Sequence, residues 1–438
     1  MALPSSIGQS GWSTLTYIPV EVLEFVISYL PNRDIKSLRL TCRTMSERAR
    51  LRIKRVFLSP NPRNIEVLRA IAGHEMYRRY IIEIIWDDVQ LVDKIEPTRN
   101  WSHLALGHWF TEICEWNIQE RVERRNEEPN LSIKESWEYY QQLVQQQKDV
   151  IASGADIEAF NYALKRFPAL KRIIITPAAH GILDKPLYET PMIRAFPPGF
   201  NYPILHDDIR CQWFDYSNLP IWPLPDHTGV PPYLLPWDEQ ERLRWRGFCI
   251  IIRELAKRSD HRVSELIIEP HGLETGLNCR IFDKPCEEYN NLITIFRRPG
   301  FTRIDLCLAG YGQYNEDQEW SSFRSGYLKR ALSQTSSDLT HFSLRTQIDY
   351  DRIQELDVHW TMQFTRHWIP LQTFLPIEKW PKLRHFGLSG FLVRVDNLLS
   401  VLKALPKTLR SVELSALKFT GEWDSWYDLF EDMRETLA

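Results

Sequence analysis

Cys279, Cys286 and His271 are the side chains best suited to a metal, because thiolate and imidazole are the ligands zinc prefers. Six residues separate the two cysteines and no fourth ligand accompanies them, so the spacing argues against a zinc knuckle. His206-Asp207-Asp208 offers an imidazole and two carboxylates, suited to a hard cation or to acid-base work. It lies in a proline-rich stretch, where polar side chains are ordinarily just solvated. Gly310-Tyr311-Gly312 lacks the third glycine and the helix start that a dinucleotide turn requires, and reads as a loop. The chain contains no Gly-x-x-x-x-Gly-Lys-Ser/Thr, His-Glu-x-x-His, Gly-x-Ser-x-Gly or Cys-x-x-Cys. The expectation is a protein without cofactor or metal and without enzymatic activity of its own. A hydrolase or transferase whose site is assembled from distant residues is the alternative.

The 438 residues are enough for two or three domains, or for a small domain followed by an extended array. A hydrophobic content of 43% with 25% charged residues is that of a folded chain, and a net charge of −3 argues against a nucleic-acid backbone as main partner. No apolar run approaches the eighteen residues that a membrane span needs. Residues 1–16 carry neither a basic start nor an apolar core and read as a disordered lead. Seven irregularly spaced cysteines fit a reducing compartment, hence cytosol or nucleus.

The elements that would position any function begin at residues 17–58. Val20, Val22, Leu23, Phe25, Val26, Ile27, Tyr29 and Leu30 crowd between two prolines, which predicts a helix apolar around most of its circumference and buried on more than one side. Ile35, Leu38, Leu40 and Cys42 predict a second helix with Asp34 as its N-cap, and residues 44–54 a third, basic one. Three such helices cannot cover their own apolar surface, so more chain or another protein must. The basic run of Arg43, Arg48, Arg50, Arg52, Lys54 and Arg55 has no interleaved aromatic platform, so a solvated face or one meeting an acidic partner explains it better than nucleic acid.

At these residues the chain resembles the F-box. The pattern is carried by Ile18-Pro19, Glu21-Val22-Leu23, Ile27, Tyr29-Leu30, Asp34-Ile35, Leu38, Leu40 and Cys42-Arg43. Ile18, Thr41 and Met45 depart from it while keeping roughly the right size. In general style the sequence is also similar to F-box chains of filamentous fungi. The resemblance implies docking onto a Skp-type adaptor, and through it onto a cullin and RING ubiquitin ligase. The implied adaptor contacts are Pro19, Val22, Leu23, Ile27, Leu30, Leu38 and Cys42. The expectation is that Leu23 and Ile27 face outward, while Phe25 or Val26 anchors the helix to its neighbours.

Downstream, helix-then-strand units recur. After Asn61 as cap, Pro62 at the first position and Gly73 as stop, apolar residues spaced by three and then two mark strands. The triplets are Tyr77, Tyr80, Ile82; Leu170, Ile173, Ile175; Val263, Leu266, Ile268; Phe301, Ile304, Leu306; Leu339, Phe342, Leu344; Leu383, Phe386, Leu388; and Leu409, Val412, Leu414. This is a loose form of the Leu-x-x-Leu-x-Leu core of leucine-rich repeats. A turn places the first residue inward and the period-two strand places the other two inward. The fold class expected is α/β: a small three-helix F-box, then an irregular leucine-rich-repeat-like α/β solenoid over residues 59–438. Two insertions break it, a helical pair at about 87–148 and a segment at about 177–240. The second holds 12 of the 27 prolines, too many for a regular element, together with aromatics such as Trp213, Trp222 and Trp237 that suit a loop packed on one face of the array.

Residues alternating with the inward triplets would line the opposite face: Arg172, Ile174, Glu265, Ile267, Arg303, Asp305, Ser343, Arg345, Glu413 and Ser415. Of these Arg172, Glu265, Ile267, Arg303, Asp305, Arg345 and Glu413 are the candidate contacts with a target protein. Their mixed charge predicts no target class. The function expected is substrate recognition in a Skp, cullin and F-box ubiquitin ligase, with an F-box scaffold acting outside a ligase as the alternative.

Overall fold

The structure, a computed structural model, describes residues 18–91, 108–125, 131–181, 183–204, 236–271, 276–310, 313, 320–346, 368–420 and 424–436. They fall into two compact units that divide between Lys54 and Arg55. The polar break expected within the helical pair, Asn126 to Asn130, lies outside the described residues, as do His206 to Asp208, Tyr311 to Gly312 and residues 1–16.

The first unit holds α1 (Val20–Tyr29), α2 (Asn32–Arg39) and α3 (Arg43–Arg48). Pro19 and Pro31, not Asp34, occupy the N-cap positions of α1 and α2, and Asp34 sits in the first turn of α2. Leu23, Ile27, Ile35, Met45 and Ala49 form the core, with Ile18, Leu30, Leu38 and Leu51 packed around it. The third helix ends earlier than its basic run predicts. The chain beyond it is drawn into cross-links: the Asn32 side chain accepts from the Arg52 amide at 2.8 Å and donates to the Arg52 carbonyl at 3.0 Å. The Arg52 guanidinium donates to the carbonyls of Ser28 and Leu30 at the end of α1. A cation on the last carbonyls of a helix satisfies orphan acceptors and complements the dipole. Arg52 is therefore structural and not only a solvated charge.

The second unit mixes helices with a parallel sheet. Its strands are β1 (Arg55–Leu58), β2 (Glu83–Asp87), β3 (Arg172–Thr176), β4 (Glu265–Ile268), β5 (Leu277–Asn278), β6 (Arg303–Ala309), β7 (His341–Thr346), β8 (His385–Ser389), β9 (Leu392–Val393), β10 (Ser411–Ser415) and β11 (Lys418–Phe419). The sheet order β1-β2-β3-β4-β6-β7-β8-β10 follows the chain and every pairing is parallel; β5 pairs with the C-terminal end of β6, and β9 pairs β11. Parallel neighbours require crossovers. These are α4 (Pro62–Gly73), α5 (Glu75–Arg78), α6 (His108–Arg125), α7 (Ile133–Ser153), α8 (Ala155–Arg166), α9 (Pro191–Arg194), α10 (Glu239–Arg244), α11 (Arg246–Lys257), α12 (Glu287–Phe296), α13 (Ser321–Arg324), α14 (Tyr327–Ser333) and α15 (Val395–Ala404). α16 (Trp426–Thr436) follows the last strands.

Val56, Ile84, Ile173, Leu266, Ile304, Phe342 and Phe386 are in register across the sheet, all buried on the helix-bearing face. The row ends at Val412 on β10, which is 38% exposed. Five of the seven predicted triplets are wholly buried at these places. The first one is misplaced. Tyr77 belongs to α5 and Tyr80 is exposed, while the buried set is Ile81, Ile84 and Trp86. The two sets have the same spacing, and the buried Glu83 between them disguised the strand. β1 falls within the 17–58 stretch expected to be helical, yet it opens the sheet.

The predicted helical pair is present as α6 and α7, with a Ser132/Glu135 capping box starting α7. α8 and α11 are joined by a bidentate pair between the fully buried Asp156 and Arg246, at 2.5 and 3.1 Å. Among the described residues no helix is long and apolar enough to cross a membrane.

Candidate docking surfaces

Burial divides α1 into two faces. Leu23 and Ile27 point into the three-helix core, which corrects the expectation that they face outward. Val22, Phe25, Val26 and Tyr29 form the opposite stripe at the three- and four-residue steps that align side chains on a helix. Phe25 is 62% and Tyr29 73% exposed, so neither Phe25 nor Val26 anchors the helix inward. Their rings meet edge to face at 5.0 Å, which fixes the stripe as a ridge. Of the other expected contacts, Pro19 and Cys42 are exposed, while Leu30 and Leu38 pack partly against the core. Leu40, 88% exposed, adds to the apolar surface of this unit. Sequence alone missed the ridge because apolar residues stand both on the core side of α1 and beside the exposed Glu21, Glu24 and Ser28, so the polar residues do not tell which apolar side is buried.

In the second unit the sheet face away from the helices carries a charged row in register. It runs Arg55, Glu83, Arg172, Glu265, Arg303, His341, His385 and Ser411. Glu83 lies 2.6 Å from Arg55 and 3.2 Å from Arg172; Glu265 lies 2.5 Å from Arg172 and 3.3 Å from Lys171. Opposite charges on adjacent strands stabilise a sheet, and here they also compensate two largely buried carboxylates. Asp305 pairs with Arg303 and, at 3.0 Å, with His341, whose ring stacks on His385 at 4.0 Å. These partners hold the Asp305 carboxyl below its ordinary pKa despite the opposing effect of burial. Arg345 pairs with Glu269 at 3.1 Å. Ile85, Ile174 and Ile267 form an apolar patch on this face, capped by Phe57 and by Tyr188 from the proline-rich insertion. The expected target contacts thus share one face of the sheet, but most are engaged with one another and Ile267 is covered.

The remaining candidates do not converge. Cys279 is buried and its thiol is pushed up to about 12 by that burial; Cys286 caps α12 through its sulfur; and His271 touches the Tyr188 hydroxyl at 3.5 Å. Among the described residues no group of three or more His, Cys, Asp and Glu is arranged to hold a metal. A pair that sequence did not suggest lies at the C-terminal ends of β2 and β3, where Asp87, the last residue of β2, and His180, past β3, are buried beside Tyr202. The adjoining cavity, of about 10 Å³, is the size of one water and too small for a substrate. A surface groove of about 440 Å³ nearby is lined by Arg63 and Glu66, which neutralise each other at 2.6 Å.

Comparison with protein families matches residues 15–55 to the F-box domain. The matched segment contains the three helices and the exposed ridge of α1. F-box domains bind Skp-type adaptors, the adaptor component of ubiquitin ligases of the Skp-cullin-F-box kind. No curated protein matches the chain.

Proposed function

We propose that this protein is a substrate-recognition subunit of a Skp-cullin-F-box ubiquitin ligase, acting in the cytosol or nucleus, with no catalysis of its own. The observation that carries the reading is the ridge of Val22, Phe25, Val26 and Tyr29, exposed within residues 15–55 on a helix whose other face already has its core. A stripe of this kind is the form in which a helix offers itself to a groove or to partner helices. Pro19, Leu40 and Cys42 complete the contact surface in this proposal, while Leu23 and Ile27 hold the ridge in place from behind. The ligase's ubiquitin-charged partner then acts on a bound target through proximity.

The second unit is the target-binding part of the proposal, read as an irregular leucine-rich-repeat-like solenoid. An all-parallel sheet whose strand order follows the chain supports that reading, because stacked strand-helix units generate this order and no other. The test is co-expression with a Skp-type adaptor and purification of the complex, comparing wild type with Phe25→Asp plus Tyr29→Asp. Loss of adaptor from a variant that stays folded supports the proposal. Wild type that never retains adaptor, or a variant that retains it equally, overturns it.

A further inference from the structure

The sheet has two ends, and β10 is the last strand of its order. Ser411 donates its amide to Arg384 and the Ser415 carbonyl accepts from Gly390, so residues 411, 413 and 415 turn their backbone toward β8. The alternate residues, Val412 and Leu414, direct N–H and C=O to the opposite edge, where the described residues place no strand. The apolar row that is buried on every earlier strand breaks the surface here, at Val412. The last helix, α16, likewise leaves Tyr427 and Phe430 more than half exposed while burying Leu429.

The other face of β10 says what would complete it. The earlier acids of the in-register rows on that face each meet a cation: Glu83 has Arg55 and Arg172, Glu265 has Arg172 and Lys171, and Asp305 has Arg303 and His341, whereas Asp87, at the end of β2, is buried beside the His180 imidazole. Glu413 has only the His385 imidazole at 3.9 Å, and burial together with His341 holds that ring below its ordinary pKa. Among the described residues no Arg or Lys reaches Glu413. Its side chain is 61% exposed on a strand with an open edge.

We propose that the edge of β10 left unpaired among the described residues takes an extended segment of a partner protein as an added strand. A basic residue of that segment lies opposite Glu413, between two apolar residues that continue the rows of Val412 and Leu414. The main-chain bonds of such an addition supply affinity, and the alternating side chains supply the choice of segment. The adaptor reading does not enter, since no residue of the F-box takes part, and either proposal can fail without the other.

The test uses the full chain and fluorescein-labelled synthetic peptides with a central Ser-Ile-Arg-Leu-Ser, followed by fluorescence anisotropy. The expected result is saturable binding, weakened about five-fold or more when Glu replaces the central Arg, the difference between an attractive and a repulsive cross-strand pair. N-methylation of the peptide's alternate amides abolishes binding. Glu413→Arg, a change at an exposed side chain, inverts the preference between the two peptides. Val412→Pro removes an edge donor and abolishes binding of both. Equal binding of the N-methylated peptide, or unchanged preference in Glu413→Arg, overturns the proposal. Failure of every peptide to bind also overturns it and leaves Glu413 as a charge that keeps the edge unpaired. A concentration-dependent dimer lost in Val412→Pro assigns the edge to a second copy of the chain instead, and overturns it too.

Discussion

Asp87 Oδ2 and His180 Nε2 lie 3.7 Å apart inside the second unit, both buried and neither hydrogen-bonded among the described residues. Burial raises the Asp87 carboxyl from 3.8 to about 7, and burial lowers the His180 imidazole from 6.5 to about 4. His180 Nδ1 is within 2.9 Å of the Tyr202 hydroxyl, whose own pKa is also raised by burial. The folded chain thus favours a neutral acid beside a neutral base, whereas the unfolded chain at pH 5 carries a carboxylate and an imidazolium.

Two opposite pH dependences follow. The Asp87 contribution is present below pH 3.8 and is lost as pH rises through about 7, because the folded state then has to ionise a buried group. The His180 contribution is present above pH 6.5 and is lost as pH falls through about 4. Between pH 4 and 6.5 the two nearly cancel, each being on the order of 3 kcal/mol. Relative to wild type, Asp87→Asn therefore gains stability as pH rises across this window, and His180→Phe loses it. Urea midpoints measured at pH 4.5, 5.5 and 6.5 check this; curves parallel to wild type for both variants rule it out.

The two faces of α1 separate stability from docking. Leu23→Ala removes a fully buried side chain and costs about 2 to 5 kcal/mol, which in so small a unit is enough to unfold it locally. Phe25→Ala changes an exposed side chain and leaves stability within about 0.5 kcal/mol. Under the proposed function the second variant is folded and adaptor-deficient. Hydrogen exchange of residues 18–54, together with adaptor pull-down, distinguishes the two variants, and equal exchange protection in both contradicts the assigned faces.

How far the sequence reveals this molecule depends on the range of the interactions. The three short helices announce themselves through Pro19, Pro31 and the apolar steps between them, which are local signals. The orientation of α1 is not local: with apolar residues on both sides, only packing against Ile35 and Met45 decides that Leu23 turns inward. The strand triplets are readable because the three-then-two spacing is repeated, yet Tyr77, Tyr80, Ile82 imitates the true Ile81, Ile84, Trp86. β1 was missed although Ile53, Val56 and Leu58 carry the same spacing, because the surrounding Arg and Lys suggested a helix face. Nothing local couples Asp87 to His180, or surrounds Glu83 with Arg55 and Arg172. Those partners lie on separate strands or, for His180, just past one, and meet only when the sheet is assembled.

Gly247 tests the packing of α11 on the sheet. Its amide donates to Asp88 Oδ1 at 3.1 Å, and the Trp86 indole donates to the same oxygen at 3.1 Å. A Cβ at this position would stand 2.2 Å from that oxygen and 2.3 Å from the indole nitrogen. Gly247→Ala has to displace the helix or break both bonds, at a cost of about 1 to 3 kcal/mol for overpacking. A urea midpoint lowered with unchanged slope is the expected result; an unchanged midpoint shows that the helix yields freely.

Arg172 is the cation shared by Glu83 and Glu265, and its removal leaves each carboxylate with a single cation. Both acids are largely buried, and the cations they keep, Arg55 on Glu83 and Lys171 on Glu265, are about half exposed and so compensate them less well. Breaking a buried pair by deleting one partner typically costs about 3 to 5 kcal/mol, because the remaining charge stays desolvated. Arg172→Met keeps the aliphatic stem and loses part of that amount at pH 7, since Arg55 and Lys171 remain. Adding Glu83→Gln and Glu265→Gln removes the under-compensated charges, so the triple variant recovers much of the loss. Equilibrium denaturation of the single and triple variants decides the matter. If the triple variant is no more stable than Arg172→Met, the cost lies in lost packing and not in uncompensated charge.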